Sequence, residues 1–322
     1  MFGHQDDLAY GVSWKYKKDR SDIKDVTGDY PGMFGYELGN LEIDRLANLD
    51  SVPFDKMKTY IEWAYKKGSI ISLSWHVNNP LTGKNAWSLA DGAVASILPG
   101  GPKHALFLTW LDKLAAFALD LKGPKGEAVP VIFRPYHELN GSWFWWGKNH
   151  CTPEQFTQLW KFTVAYLKDK KNVHNFLYAY STDGFSSKEE YLERFPGDEW
   201  VDVVGFDFYQ REKPKDEYLR KMEYMLTTLE QVAKERNKIP ALTEFGGKLS
   251  EADWWTGTFL KALGNHKISY VLGWRNAGLK ETGEMEYYVP YKGHSTEKDF
   301  KKFAKESRIL LQKDVQYKML YE

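Results

Sequence analysis

The sequence predicts an α/β protein, a single (β/α)8 TIM barrel spanning residues 1–322. Three observations carry that expectation. Short apolar, β-branched or aromatic runs alternate with amphipathic helical patterns along the chain. No Gly/Ser-rich or Pro-rich linker divides them, and this length accommodates one eight-stranded barrel. Residues able to do chemistry collect at the C-terminal ends of the runs, whereas the starts are mostly plain aliphatics, as a barrel with its site at one mouth requires. A doubly wound open sheet is the competing architecture.

The eight runs lie at residues 8–14, 33–38, 69–77, 129–137, 176–181, 201–209, 240–245 and 269–276. Several are almost continuously apolar, which suits parallel strands covered on both faces. Helical patterns follow at 55–67, 104–121, 153–169, 216–237, 251–263 and 297–313, and the first connection offers only a short helical turn around 21–26. Thr152, Pro153 and Gln155 stand at the N-cap, N1 and N3 positions of a capping box. Ser250, followed by Glu251 and Asp253, offers a serine cap. Gly68 and Gly264 follow their helices where a C′ glycine belongs.

Composition narrows the function. Lys+Arg and Asp+Glu both number 44, so no basic excess points to nucleic acid. Cys151 is the single cysteine and can form neither an intrachain disulfide nor a cysteine metal site. No apolar run approaches the roughly 20 residues of a membrane helix. Residues 1–7 lack the basic and apolar regions of a signal peptide, leaving a cytoplasmic protein or one whose export segment is absent. Aromatic residues make up 16% and include 13 Trp, enough that some are expected to line a binding surface, although a large barrel also buries many.

The densest chemistry follows the fourth run, in Arg134-Pro135-Tyr136-His137-Glu138-Leu139-Asn140-Gly141-Ser142-Trp143-Phe144-Trp145-Trp146-Gly147. A carboxyl group among indoles sits in low dielectric, which favours its protonated form and suits a general acid near neutral pH. Flat aromatic faces beside it suit sugar rings. The remaining run ends present Trp14, Glu37, Trp75-His76, Tyr180 with Asp183, Asp207 with Tyr209, Glu244, and Trp274-Arg275-Asn276. Glu138 and Glu244 end the fourth and seventh runs, which face one another across a barrel mouth. Two carboxyls flanked by indoles have the composition of a glycosidase site. For Glu244 the plainer alternative is a structural ion pair with Arg134 or Arg275.

Other motifs fail. His137-Glu138 begins like a zinc-protease HExxH, but Gly141 stands where the second histidine belongs. Gly100-Gly101-Pro102-Lys103 lacks phosphate-loop spacing, and neither G-x-G-x-x-G nor G-x-S-x-G occurs. Cys151 beside His150 is a poor nucleophile pair, and the sequon Asn140-Gly141-Ser142 would place a glycan in the cleft.

The stretch from Arg134 to Gly147, together with Thr243-Glu244-Phe245-Gly246, Ser74-Trp75-His76-Val77-Asn78-Asn79-Pro80 and Gly273-Trp274-Arg275-Asn276-Ala277, resembles glycoside hydrolase family 26. The resemblance runs from the third to the eighth run. Most members are β-1,4-mannanases and a few act on xylan or mixed-linkage glucan. The resemblance implies Glu138 as acid/base and Glu244 as nucleophile, with His137 orienting groups at the reacting sugar. Tyr209 would donate a hydrogen bond to the nucleophile, Trp143 and Trp274 would be sugar platforms, and His76 would contact the subsite beside the scissile bond. The implied protein is a retaining, endo-acting β-1,4-mannanase hydrolysing mannan and galactomannan by double displacement. It would be a monomer acting on β-mannan polysaccharides and manno-oligosaccharides, secreted, periplasmic or at the cell surface, without cofactor, metal or nucleic acid. Within the family the alternatives are an exo-acting, mannobiose-releasing enzyme and a xylanase or mixed-linkage glucanase. Residues 78–103 could wall the cleft and decide the attack mode. A non-catalytic glycan-binding module is the rival of a different class, and the retention of both glutamates argues against it.

Overall fold

A computed structural model describes residues 1–247, 249–280 and 283–316. Eight parallel strands form a closed barrel: β1 (Phe2–Gln5), β2 (Met33–Glu37), β3 (Ile70–Trp75), β4 (Val131–Pro135), β5 (Phe176–Thr182), β6 (Val203–Tyr209), β7 (Ile239–Gly246) and β8 (Val271–Gly273). Their order around the barrel is β1-β8-β7-β6-β5-β4-β3-β2. This is the TIM barrel expected from the sequence.

The first strand is a correction. Residues 8–14 form no barrel strand; they carry only part of a small antiparallel pair, Tyr10–Gly11 with Trp14–Lys15. The barrel begins instead at Phe2-Gly3-His4-Gln5, whose polar His4 and Gln5 are buried. Polar side chains inside a barrel hide a strand from any apolar pattern. Leu8, Ala9, Tyr10 and Trp14 are buried in the following loop, so their apolarity marks burial rather than strand.

The packing divides into two compact units. One comprises Met1–Tyr36, Trp63–Ile71 and Asp207–Glu322. Within it β1 pairs with β2 and β8, and β8 with β7, Gly273 lying opposite Phe245. Its core includes Phe2, Phe245, Trp255, Phe300 and Phe303, in mutual edge and tilted contacts. The other comprises Glu37–Glu62 and Ser72–Phe206. There β3, β4, β5 and β6 pair in succession, and Trp75, Phe133, Tyr136, Trp146 and Trp160 are fully buried. Eight of the 13 tryptophans are buried, so most of the aromatic excess fills the core rather than a binding surface.

The helices are α1 (Asp22–Thr27), α2 (Phe54–Lys66), α3 (Ala93–Ile97), α4 (His104–Asp120), α5 (Pro153–Ala165), α6 (Lys188–Leu192), α7 (Lys215–Arg236), α8 (Leu260–Leu263), α9 (Glu297–Phe303) and α10 (Gln312–Gln316). The capping box before α5 is present in both directions: Gln155 N donates to Thr152 Oγ1 at 3.2 Å and Thr152 N to Gln155 Oε1 at 3.1 Å. Two helical expectations fail. Ser250 caps nothing, because a π-helical turn, Trp254–Phe259, precedes α8. That winding accompanies the burial of the adjacent Trp254 and Trp255. The stretch 297–313 breaks into α9 and α10 because Leu311 is drawn into an antiparallel bridge with Pro31.

Candidate active site

The end of β4 carries the first cluster of candidate residues. Past Pro135 the backbone enters the left-handed region twice, at Tyr136 (φ 50°) and Glu138 (φ 52°). Side chains other than glycine rarely sit there, and surrounding bonds must hold them. Glu138 N donates to Ser181 O and Gly141 N to Glu138 O, both at 2.9 Å. The Trp146 indole N–H donates to His137 O at 2.9 Å, and that of Trp145 to Val77 O at 2.9 Å. Trp145 and Trp146 are therefore the floor of this loop, and only Trp143 opens to solvent, at 38% exposure. Its Nε1 donates to Glu138 Oε2 at 2.6 Å. Glycine is required at 141, where a Cβ would meet the Trp143 ring at 2.4 Å. Arg194 closes the loop from behind, donating to the carbonyls of Lys148 (2.9 Å) and Cys151 (3.0 Å). Burial pushes the Cys151 thiol up, which agrees with its rejection as a nucleophile.

Two histidines lie against this loop in the same unit. Glu37, fully buried at the end of β2, accepts from His76 N (2.7 Å) and Gly39 N (2.6 Å) on one oxygen. Its other oxygen accepts from Ser74 Oγ at 2.5 Å and faces His76 Nδ1 at 2.8 Å. Burial alone would raise its pKa, but the electrostatic interaction with His76 and these hydrogen bonds outweigh it and hold the carboxyl below its ordinary value. His76 Nε2 lies 3.1 Å from His137 Nε2, with the two rings nearly perpendicular at 87°. Burial first, then the electrostatic influence of Arg134 and His76, holds the His137 pKa well below its usual value, so His137 is neutral. The half-exposed indole of Trp87 stacks on His76 at 5.0 Å and 16°. In the short helical turn after β2, the buried Glu42 accepts from Asn78 N (2.7 Å), Asn78 Nδ2 (2.9 Å) and Trp75 Nε1 (3.2 Å), fixing the turn after β3. The sequence reading missed Trp87 and Glu42. A tryptophan inside the Gly/Asn/Pro-containing stretch 78–103 was the available signal for the first; Glu42 had none.

A second cluster of candidate residues stands on β6, β7 and β8. Glu244, 5% exposed on β7, accepts a short hydrogen bond from the Tyr209 hydroxyl at the end of β6. Beside it Thr243 Oγ1 donates to Asp207 Oδ1 at 2.8 Å. Gly246 lies between two phenol rings, where a Cβ would meet Tyr288 Cδ1 at 2.3 Å and Tyr209 Cδ1 at 2.4 Å. The segment carrying Tyr288 is tied down by Asn276, whose Oδ1 accepts from Tyr288 N (3.0 Å) and Val289 N (3.2 Å). Asn276 Nδ2 in turn donates to Asp22 Oδ2 at 2.9 Å. Trp274, half-buried, is positioned by its backbone bond to Phe245 O at 3.0 Å. Arg275 pairs with Glu286 at 3.3 Å.

The structure thus groups His76, His137, Glu138 and Trp143 in one unit and Tyr209, Glu244 and Trp274 in the other. Two run-end residues leave the candidate set. Trp14 is buried and donates to Asp22 Oδ1 at 2.7 Å, and Tyr180 is buried with its hydroxyl on Tyr191 O at 2.8 Å.

Buried glutamates at strand ends, each accepting a hydrogen bond from an aromatic donor, place this barrel in the class of glycoside hydrolases. The chain belongs to Glycosyl hydrolase family 26, whose profile matches residues 1–273. A GH26 beta-mannanase from Bacteroides ovatus superimposes with a TM-score of 0.94 at 45% identity, covering 100% of this chain and 93% of that one. A modular endo-beta-1,4-mannanase from Cellulomonas fimi gives 0.86 at 32% identity, covering 97% and 72%. A mannan endo-1,4-beta-mannosidase from Bifidobacterium adolescentis is 34% identical over 96% of this chain. The match spans only 33% of that much longer relative.

Proposed function

We propose that the protein is a retaining, endo-acting β-1,4-mannanase that cleaves mannan and galactomannan. The observation that carries the assignment of roles is the contrast between the two glutamates. Glu244 accepts a hydrogen bond from the Tyr209 hydroxyl, as a carboxylate nucleophile can, while Glu138 sits in a loop of indoles with Trp143 Nε1 on Oε2. In the first step Glu244 attacks the anomeric carbon while Glu138 gives its proton to the departing glycosidic oxygen. In the second, Glu138 takes a proton from water as that water displaces Glu244, so the anomeric configuration is retained. Trp143 and Trp274 serve as sugar platforms, and His76 and His137 contact the sugars at the reacting end. The enzyme works as a single catalytic domain and a monomer outside the cytoplasm or on the cell surface. Among the described residues no helix is long and apolar enough to cross a membrane.

The roles are tested by leaving group. Glu138→Ala should lose most activity on β-mannan but far less of the glycosylation rate on an activated aryl β-mannoside, whose leaving group departs without a proton. Glu244→Ala should fail on both. The opposite pattern reverses the roles. An exo-acting, mannobiose-releasing variant of the same chemistry is supported by one observation, the exposed Trp87 over His76, which raises a wall on that side. The product distribution early in mannan hydrolysis separates the two: mixed oligosaccharides for endo attack, mannobiose alone for exo attack.

A further inference from the structure

We propose that Glu37 is a positioning residue that decides which ring nitrogen of His137 carries the proton, acting through His76. This rests on the glycosidase reading, in which His137 holds a hydroxyl of the reacting sugar. An ionised carboxylate can only accept hydrogen bonds, and Glu37 accepts from Gly39 N, His76 N and Ser74 Oγ while facing His76 Nδ1 at 2.8 Å. The proton on His76 is therefore on Nδ1. In the proposed relay His76 carries that proton alone, which leaves its Nε2 bare, and this atom faces His137 Nε2 at 3.1 Å. Only one hydrogen fits between two ring nitrogens, so it belongs to His137. That leaves His137 Nδ1, buried and without a hydrogen-bond partner in the unliganded protein, as a bare acceptor for a sugar hydroxyl proton. Two ring contacts keep the relay in register: Trp87 stacks on His76, and Phe144 meets both histidine rings edge-on at 5.2 and 5.3 Å. The logic is that of a carboxylate selecting the tautomer of a working histidine, extended by one ring.

Glu37→Gln should invert the relay without changing its shape. The amide oxygen retains Gly39 N and His76 N, which turns the amide NH2 towards His76 Nδ1. That nitrogen must then accept, so the His76 proton moves to Nε2 and points at His137. The His137 proton moves to Nδ1, and an acceptor for the sugar becomes a donor. Loss of one hydrogen bond to a buried group corresponds to roughly a 10–100-fold fall in kcat/KM. Glu37→Asp keeps the acceptor chemistry and should lie closer to the parent than Glu37→Gln does.

The test is 15N NMR of the histidine rings at neutral pH, combined with kinetics on β-mannan. The parent should show His76 protonated at Nδ1 only and His137 bare at Nδ1; Glu37→Gln should show both tautomers exchanged and the fall in kcat/KM. A proton on His137 Nδ1 in the parent, including one arising from doubly protonated His76, overturns the inference even if no variant folds. So does a folded Glu37→Gln enzyme with parental tautomers or parental kcat/KM. A parent inactive on β-mannan overturns the mannanase reading, while its ring spectra still decide the relay.

Discussion

Gly246→Ala is a methyl-sized probe of the support of Glu244, the proposed nucleophile. A Cβ at this position would lie 2.3 Å from Tyr288 Cδ1 and 2.4 and 2.5 Å from two ring atoms of Tyr209. Neither ring is the loose end of a flexible chain. Tyr209 is 8% exposed and in edge contact with Tyr288 at 5.3 Å, and Tyr288 follows a backbone held by Asn276. The methyl must push Tyr209 from its place, and its hydroxyl is the donor to Glu244. A hydrogen bond to a charged group contributes about 1.5–3 kcal/mol, so kcat/KM on β-mannan should fall roughly 10–150-fold. Overpacking should separately cost about 1–3 kcal/mol of stability, read by denaturant unfolding. Tyr209→Phe removes the same hydrogen bond without the clash and serves as the reference. If both act through one contact, the double variant should lose little more activity than Gly246→Ala alone. A Gly246→Ala enzyme within twofold of the parent, or full additivity of the two changes in kcat/KM, would refute this account of how the nucleophile is held.

Trp143→Phe keeps an aromatic face over Gly141 but removes the donor to Glu138 Oε2. Because that indole is 38% exposed, the loss in kcat/KM should sit near the low end, about tenfold; an unchanged value would make Trp143 a platform alone. Glu37 also contributes to acid stability. Its folded pKa lies below the ordinary 4.5, so its contribution is present above that value and lost as pH falls through the folded one. Acid unfolding should therefore steepen below about pH 4.5 in the parent more than in Glu37→Gln, and identical acid limbs would remove Glu37 from the stability account. Dialysis against a chelator should leave turnover unchanged, and loss of activity restored by a divalent ion would contradict the metal-free site expected from the sequence.

Much of this was legible in the residues. Strands β2 to β8 are mostly apolar runs because both faces are largely covered, and their composition and length find them. Strand β1 was not, since its buried side chains include His4 and Gln5, and the apolar residues 8–14 drew attention instead. Glu138 and Glu244 announce themselves by ending strands among polar and aromatic neighbours. Their support does not. Sequence cannot distinguish Trp143, which faces solvent, from Trp145 and Trp146, which brace the loop, because three indoles within four residues look alike until the backbone turns. Glu37 stood among the run ends only as a carboxylate, and its grip on His76 depends on the register between two strands far apart in the chain.

The left-handed backbone at Tyr136 and Glu138 also shapes how this chain can change over generations. Position 138, the proposed acid/base, is filtered twice, by chemistry and by a conformation that costs about 1–2 kcal/mol for most side chains. Val, Ile and Thr are excluded at 138 on backbone grounds alone, whereas Gly and Asn relax it. A lineage that abandoned hydrolysis would gain stability the moment it lost the acid, and little would draw it back. Barrels of this kind that have retired from catalysis should carry that trace, a glycine or asparagine where the acid stood.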